Sequence, residues 1–272
     1  MRLDTANTSR PPAVAGLFYP DDASELREVV SGYLRQHSAD APAAAPKALI
    51  VPHAGYIYSG GIAAAAYATV ASRRQSIRRV VLIGPSHRVY LRGMAVPAAS
   101  SFATPLGQVA IDQTLKDTLL RSGAVIESDT PHAQEHSLEV QLPFLQMLFD
   151  DFTLLPLVLG SVAPEQIAAA LAQTWGDATT LVLVSSDLSH YHAYSEARRI
   201  DAATSAAILR RETTLAGEQA CGAVGINGLL YFAGQHQLAV SEIARCNSGD
   251  TAGDRSRVVG YGAFAVHEPG HA

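Results

Sequence analysis

Lys47–Pro52 reads KALIVP, Arg79–Gly84 reads RVVLIG, Thr153–Gly160 reads TLLPLVLG and Thr180–Ser186 reads TLVLVSS. All four are apolar without interruption and have the length of a strand. A strand with one wet face alternates apolar and polar residues, whereas one buried on both faces has no such alternation. Between and after these runs lie segments with helical spacing, which the sequence predicts over about Ile62–Ala71, Pro164–Thr174 and Ser195–Arg210. Buried strands alternating with helices predict an α/β fold, with a central, largely parallel or mixed sheet flanked by helices on both faces.

Working outward, Asp21-Asp22 can cap a helix running to about Gln36, with Leu26, Val29, Val30, Tyr33 and Leu34 at helical spacing. Ser38–Pro46 is an Ala/Pro linker. Met94–Pro97, Gln108–Ile111 and Ala124–Ser128 are expected as edge strands. Glu135–Phe149 is expected to be helical, with Pro143 kinking it or marking a restart. Gly222–Ala233 is expected as a helix, and Leu238–Cys246 with Val258–Val266 as a closing antiparallel pair. The organisation expected is one domain over residues 13–267, preceded by a loose leader over 1–12.

The 272-residue chain is 48% hydrophobic and 17% charged, enough to build a large core. Its net charge is −5, and its arginines form pairs rather than clusters, so nucleic acid is not an expected partner. No apolar run approaches the roughly 20 residues that span a bilayer. The first residues lack the apolar stretch of a secretory signal. Two cysteines, Cys221 and Cys246, are fewer than a secreted disulfide framework would carry. A cytoplasmic location is expected, where Cys221 would stay reduced.

Ligands of open α/β sheets bind outside the carboxyl ends of the strands. Three of the four runs end there in histidine-bearing loops. His53 follows the first, His87 the second, and Asp187, His190 and His192 the fourth. One such histidine is unremarkable, but three on one sheet edge predict a shared site. Cys221 opens a predicted helix, where the helix N-terminus favours thiolate, the form that binds metal. Cys246 lies in an apolar strand and is read as a small buried side chain. In PHAQEHSLEVQLPFL, the residues His132, Glu135, His136 and Glu139 either begin an ordinary capped helix or reach the pocket as acid–base or supporting groups, with His136 the first candidate and Glu135 the second. Tyr56 and Tyr58 either line the pocket or cover the sheet edge.

Taken together, GLFYP, VPHAGYIYSG, IGPSH, EHSLEVQLPF, SSDLSH, Ala220-Cys221-Gly222 and the closing GYGAFAV resemble the Memo family, whose prokaryotic members are also called AmmeMemoRadiSam system protein B. The resemblance runs from about Val14 to Val266. It implies a fold similar to the class III extradiol dioxygenases, with His53, His87 and Cys221 as metal ligands and Asp187 and His190 as neighbouring pocket residues. It further implies iron or copper, a redox role, and partners of the AMMECR and radical S-adenosylmethionine types. Two features depart from the pattern. Ala223-Val224-Gly225-Ile226 stands where many relatives carry a Pro-Ile-Gly-like run. Extradiol dioxygenases hold iron with two histidines and a carboxylate, and Cys221 in place of the carboxylate makes the set softer.

Two imidazoles and a thiolate suit Fe(II), copper or zinc. The first reading is a redox metalloenzyme in which His190 or His136 moves protons and Asp187 orients an imidazole. The second is a non-catalytic module that recognises a peptide or a partner protein on an inherited scaffold; the expected occupant of the pocket is a small molecule or peptide. The third, a zinc hydrolase, finds no HExxH segment to support it.

Overall fold

The computed structural model describes residues 8–37 and 45–269. In chain order the strands and α-helices are β1 (Ser9–Arg10), α1 (Ala23–Gln36), β2 (Ala48–Val51), α2 (Tyr56–Ala68), β3 (Arg79–Pro85), β4 (Met94–Val96), β5 (Ser101–Thr104), β6 (Gly107–Ala110), α3 (Gln113–Arg121), β7 (Ile126–Glu127), α4 (Thr130–Ala133), α5 (Leu142–Leu148), β8 (Thr153–Leu159), α6 (Pro164–Thr174), β9 (Thr180–Ser185), β10 (His190–His192), α7 (Tyr194–Leu209), α8 (Ala223–Gln235), β11 (Ala239–Asn247) and β12 (Val258–His267).

The main sheet runs β10-β12-β2-β9-β3-β8-β4-β7, with β11 also paired to β12. The central strands β2, β9, β3 and β8 are parallel. On either side, β12 and β4 join antiparallel, so the sheet is mixed. Alternate residues of each central strand enter opposite layers, as the pleat requires. Leu49, Val51, Val80, Leu82, Leu181 and Leu183 pack with Leu26 and Val30 of α1, the alanines of α2, and Phe144 and Leu145 of α5. Ala48, Ile50, Val81, Ile83, Val182 and Val184 pack with Ile167 and Leu171 of α6 and with Ile226 and Leu229 of α8. Burial on both faces explains why these strands read as unbroken apolar runs.

Several expectations need correction. Residues 1–7 lie outside the described residues, but residues 8–12 are part of the fold rather than a leader. Ser9 and Arg10 pair with Ser101 and Phe102 in a small second sheet, β1-β5-β6, and Arg10 is buried. The helix after β2 starts at Tyr56, six residues before the expected Ile62. Glu135–Phe149 is not one helix. A short α4 is followed by an irregular stretch, a 3-10 turn at Glu139–Gln141, and then α5. Pro143 sits in the first turn of α5, where its missing N–H has no intrahelical partner to lose, so it marks a restart. Most of the Ser38–Pro46 linker lies outside the described residues.

Candidate metal centre

The parallel order places the ends of β2, β3 and β9 side by side, and the loops leaving them meet. His53, His87 and His136 each bring one ring nitrogen to this point, and the three atoms lie within 4.8 Å of one another. The ring centroids of His53 are 5.2 Å from His87 and 5.3 Å from His136, and those of His87 and His136 are 4.7 Å apart.

Hydrogen bonds determine which nitrogen of the His53 and His87 rings is available. The Ser185 hydroxyl donates its single proton to the Ser137 carbonyl at 2.6 Å. It must therefore accept from His53 Nδ1 at 2.9 Å and from Gln141 Nε2 at 2.9 Å. His53 thus carries its proton on Nδ1, and its Nε2 lone pair faces the centre. Glu135 does the same for His87. Its carboxylate accepts the His87 backbone N–H at 2.7 Å, the Ser137 N–H at 2.8 Å and the His87 ring at Nδ1, 2.9 Å away. Burial pushes the Glu135 carboxyl up, but the bonds from His87 and Ser137 outweigh it and hold the group down at about 2. Burial pushes His53 well below its ordinary value and His136 down to about 4. An imidazole whose Nδ1 is engaged by a supporting group presents its other nitrogen to a metal ion; His53 and His87 meet that condition through Ser185 and Glu135, and His136 adds a third ring nitrogen, so this donor set fits one.

Cys221 borders the group, with its Sγ 3.2 Å from His53 Nε2. It is held to the end of β9, where its N–H donates to the Asp187 carbonyl at 3.2 Å and its sulfur accepts the Asp187 N–H at 3.2 Å. Gly222 makes that approach possible, because a Cβ there would lie 2.6 Å from the Ser185 carbonyl oxygen and 2.7 Å from Ser186 Cβ. Gly84 plays the same part beside β3, where a Cβ would lie 2.7 Å from both Leu138 Cδ2 and Ser137 Oγ. The expected thiolate is corrected for the metal-free chain. Cys221 lies just before the α8 cap, Gly222, and burial, aided by the Asp187 charge, pushes the thiol up to about 12.

Asp187 lines the cavity, but its carboxylate accepts the His53 backbone N–H at 2.7 Å; the His53 ring is oriented by Ser185. Burial raises the Asp187 carboxyl to about 7. His190 also lines the cavity. Its Nδ1 faces the Leu188 carbonyl at 2.9 Å, and burial lowers its pKa. Tyr191 stands at the rim, 64% exposed, with φ of 63°. That left-handed conformation is uncommon for a bulky residue, and it coincides with a register shift between β10 and β12.

The cavity has a volume of about 720 Å³ and is lined by Phe18, Arg88 and Glu218 besides the groups above. A second lobe of about 430 Å³ continues past Phe18, His136 and His190 to Leu17, Tyr58 and Arg257. Of the two tyrosines left open by the sequence, Tyr58 lines this lobe, while Tyr56 is core, its hydroxyl donating to the Val140 carbonyl at 2.7 Å. His132 is away from the site, buried with Nε2 3.1 Å from the Ala95 carbonyl. The sequence does not single out Ser185 or Gln141 as site residues. Their signal was a polar residue inside, or next to, an otherwise apolar run.

The family model described as Memo-like protein matches residues 10–265. The chain belongs to the Memo family. Among relatives named MEMO1 family proteins, that of Thermoplasma volcanium is 34% identical over 94% of this chain and 98% of its own length. That of Aquifex aeolicus is 36% identical over 93% and 97%, and that of Ignicoccus hospitalis 37% identical over 96% and 99%. A solved Escherichia coli K12 structure titled as uncharacterized protein JW3007 aligns with a TM-score of 0.48 and 13% identity, over 80% of this chain and 98% of that one. No helix among the described residues is long and apolar enough to cross a membrane.

Proposed function

We propose that this Memo family member is a redox-active non-haem metalloprotein, with iron or copper held by His53 and His87 together with His136, and with Cys221 joining as a sulfur ligand. The observation that carries the reading is the convergence of three ring nitrogens beside a thiol on the wall of an open cavity. Bound there, iron or copper would supply one-electron chemistry and retain a position for a small molecule. The chain's own groups then have distinct tasks. Glu135 and Ser185 keep the imidazole protons on Nδ1. Asp187, raised to about 7, can hold or release a proton near neutral pH. His190 offers the ring nitrogen not facing Leu188 for the same purpose. Phe18 and Tyr58 give the cavity an apolar wall.

Protein loaded anaerobically with Fe(II) or Cu(I) tests this directly. It should consume O₂ faster than a Cys221→Ala variant, and equal rates would refute the redox role. A second reading, a binding module for a peptide or partner protein, is favoured by the exposed Leu17 and Tyr191 at the second lobe. Under that reading, capture of a partner would survive loss of His53, His87 and Cys221 together. AMMECR-type and radical S-adenosylmethionine proteins are the partners we propose to test first, in a cytoplasmic setting that keeps Cys221 reduced.

A further inference from the structure

The stretch that carries Glu135 and His136 is irregular, yet both residues have to be placed accurately for the ring nitrogens to meet. Its support comes from the other end of the chain. Arg10 is 5% exposed and Glu139 is completely buried, and their side chains form an ion pair. The Arg10 guanidinium also donates from Nε to the His132 carbonyl at 2.9 Å and from Nη2 to the Glu135 carbonyl at 2.6 Å. It lies over the Phe102 ring, 5.0 Å from the centroid. One planar group thus spans the two carbonyls on either side of the Ala133-Gln134 turn and fixes where Glu135 begins. On its far side, Glu139 accepts the N–H groups of Ala13 at 2.7 Å and Val14 at 3.0 Å and the Tyr19 hydroxyl at 2.6 Å. Those contacts tie down the segment that ends in Phe18, whose ring packs 4.8 Å from that of His136.

We propose that Arg10 and Glu139 are positioning residues of the metal centre: together they hold the 132–137 stretch so that Glu135 can orient His87 and His136 can face His53. The inference rests on the metal-binding reading above. A purely structural ion pair would be satisfied by any cation facing Glu139. Positioning requires the fork of Arg10, because its planar guanidinium carries Nε, Nη1 and Nη2 to three separated acceptors in fixed directions, whereas the three N–H bonds of an ammonium radiate from one atom. Arg10→Lys separates the two roles, since it keeps the charge and loses the fork.

The test is titration of metal-free protein with Co(II), followed by its visible absorption, together with NMR of the histidine rings. Arg10→Lys should remain folded by circular dichroism but bind Co(II) about 10–100-fold more weakly, the usual effect of losing support behind metal ligands. The ring signals of His87 and His136 should shift, and the Co(II) spectrum should change. Arg74→Met, which removes the exposed Arg74–Asp150 pair, should change none of these. Co(II) affinity within twofold of the parent, with an unchanged spectrum, would overturn the proposal. If Arg10→Lys does not fold, the double variant Arg10→Gln with Glu139→Gln removes both buried charges together and is judged by the same criteria. Should the parent itself bind no Co(II), the metal reading fails. Positioning is then judged on the metal-free rings alone, where unchanged His87 and His136 signals overturn it.

Discussion

Ser185 decides the tautomer of His53. Its only proton goes to the Ser137 carbonyl at 2.6 Å, so the oxygen 2.9 Å from His53 Nδ1 can only accept. The imidazole therefore enters the centre with Nε2 unprotonated before any ligand arrives. A hydroxyl at the end of a buried strand does here what a carboxylate, Glu135, does for His87.

Replacing Ser185 with alanine should release that choice. Nitrogen-15 NMR of the His53 ring should change from one tautomer to a mixture, and metal affinity should fall by about 10–100-fold. A single Nδ1–H tautomer persisting in the variant would mean that another group sets it.

Metal titration at pH 7 can read the role of Cys221 through protons. At that pH His53 and His136 are held neutral by burial, whereas the Cys221 thiol, at about 12 in the metal-free chain, is protonated. Joining the metal requires it to lose that proton. Calorimetry in buffers of different ionisation heat should show about one more proton released per ion by the parent than by Cys221→Ala, a difference that cancels any proton Asp187 gives up in both. Equal release from the two would leave His53, His87 and His136 as the ligands without sulfur.

The metal-free chain should lose stability on mild acidification. His132 and His136 sit at about 4 and His53 well below its ordinary value, each pushed down by burial, against 6.5 for a free ring. Between about pH 6.5 and 4 the unfolded chain therefore binds more protons, and the stability these rings contribute above 6.5 is lost as pH falls. Asp187 acts in the opposite direction: at about 7 against 3.8, it favours the folded chain as pH falls through 7. Three rings outweigh one carboxyl. Below about 4.5 Glu135 adds to the loss, since its folded value is about 2. The Tm without metal should drop between pH 7 and 4.5, and a flat profile would show that the rings are not held neutral.

Gln141→Leu should be strongly destabilising despite its similar volume. The Gln141 amide donates to the Pro52 carbonyl and to Ser185 at 2.9 Å each, and accepts the Tyr67 hydroxyl at 2.7 Å. All are buried, and groups left without partners there cost about 1–3 kcal/mol apiece. Urea unfolding should show a loss of about 2–5 kcal/mol, and a loss under about 1 kcal/mol would mean that the neighbours find other partners.

The sequence discloses most of the sheet and one edge of the site, for a clear reason. Strands buried on both faces are written as continuous apolar runs, and His53 and His87 stand directly after two of them. His136 was harder to place, because its stretch follows neither a helical nor a strand period; its conformation comes from side chains such as Arg10, Glu135 and Glu139. Those pairings join distant parts of the chain, 48 residues apart for Glu135 and His87 and 129 for Arg10 and Glu139, and no local pattern records them. The two-residue β1 and the three-residue β10 are too short to show periodicity. Ser185 was hidden as one hydroxyl in TLVLVSS, since its importance lies in what it accepts and not in its composition.

Gly84, near the end of β3, and Gly222, at the cap of α8, bracket the centre, each with protein atoms 2.6–2.7 Å from where a Cβ would be. The site is in this sense shaped by subtraction. A single methyl at either position would act as a wedge, parting the Cys221 loop from β9 or the Ser137 stretch from β3 without altering any metal-binding atom. Anyone reshaping this cavity for a new ligand has freedom at the rim, around Leu17, Tyr58 and Arg257, and almost none at these two smallest residues.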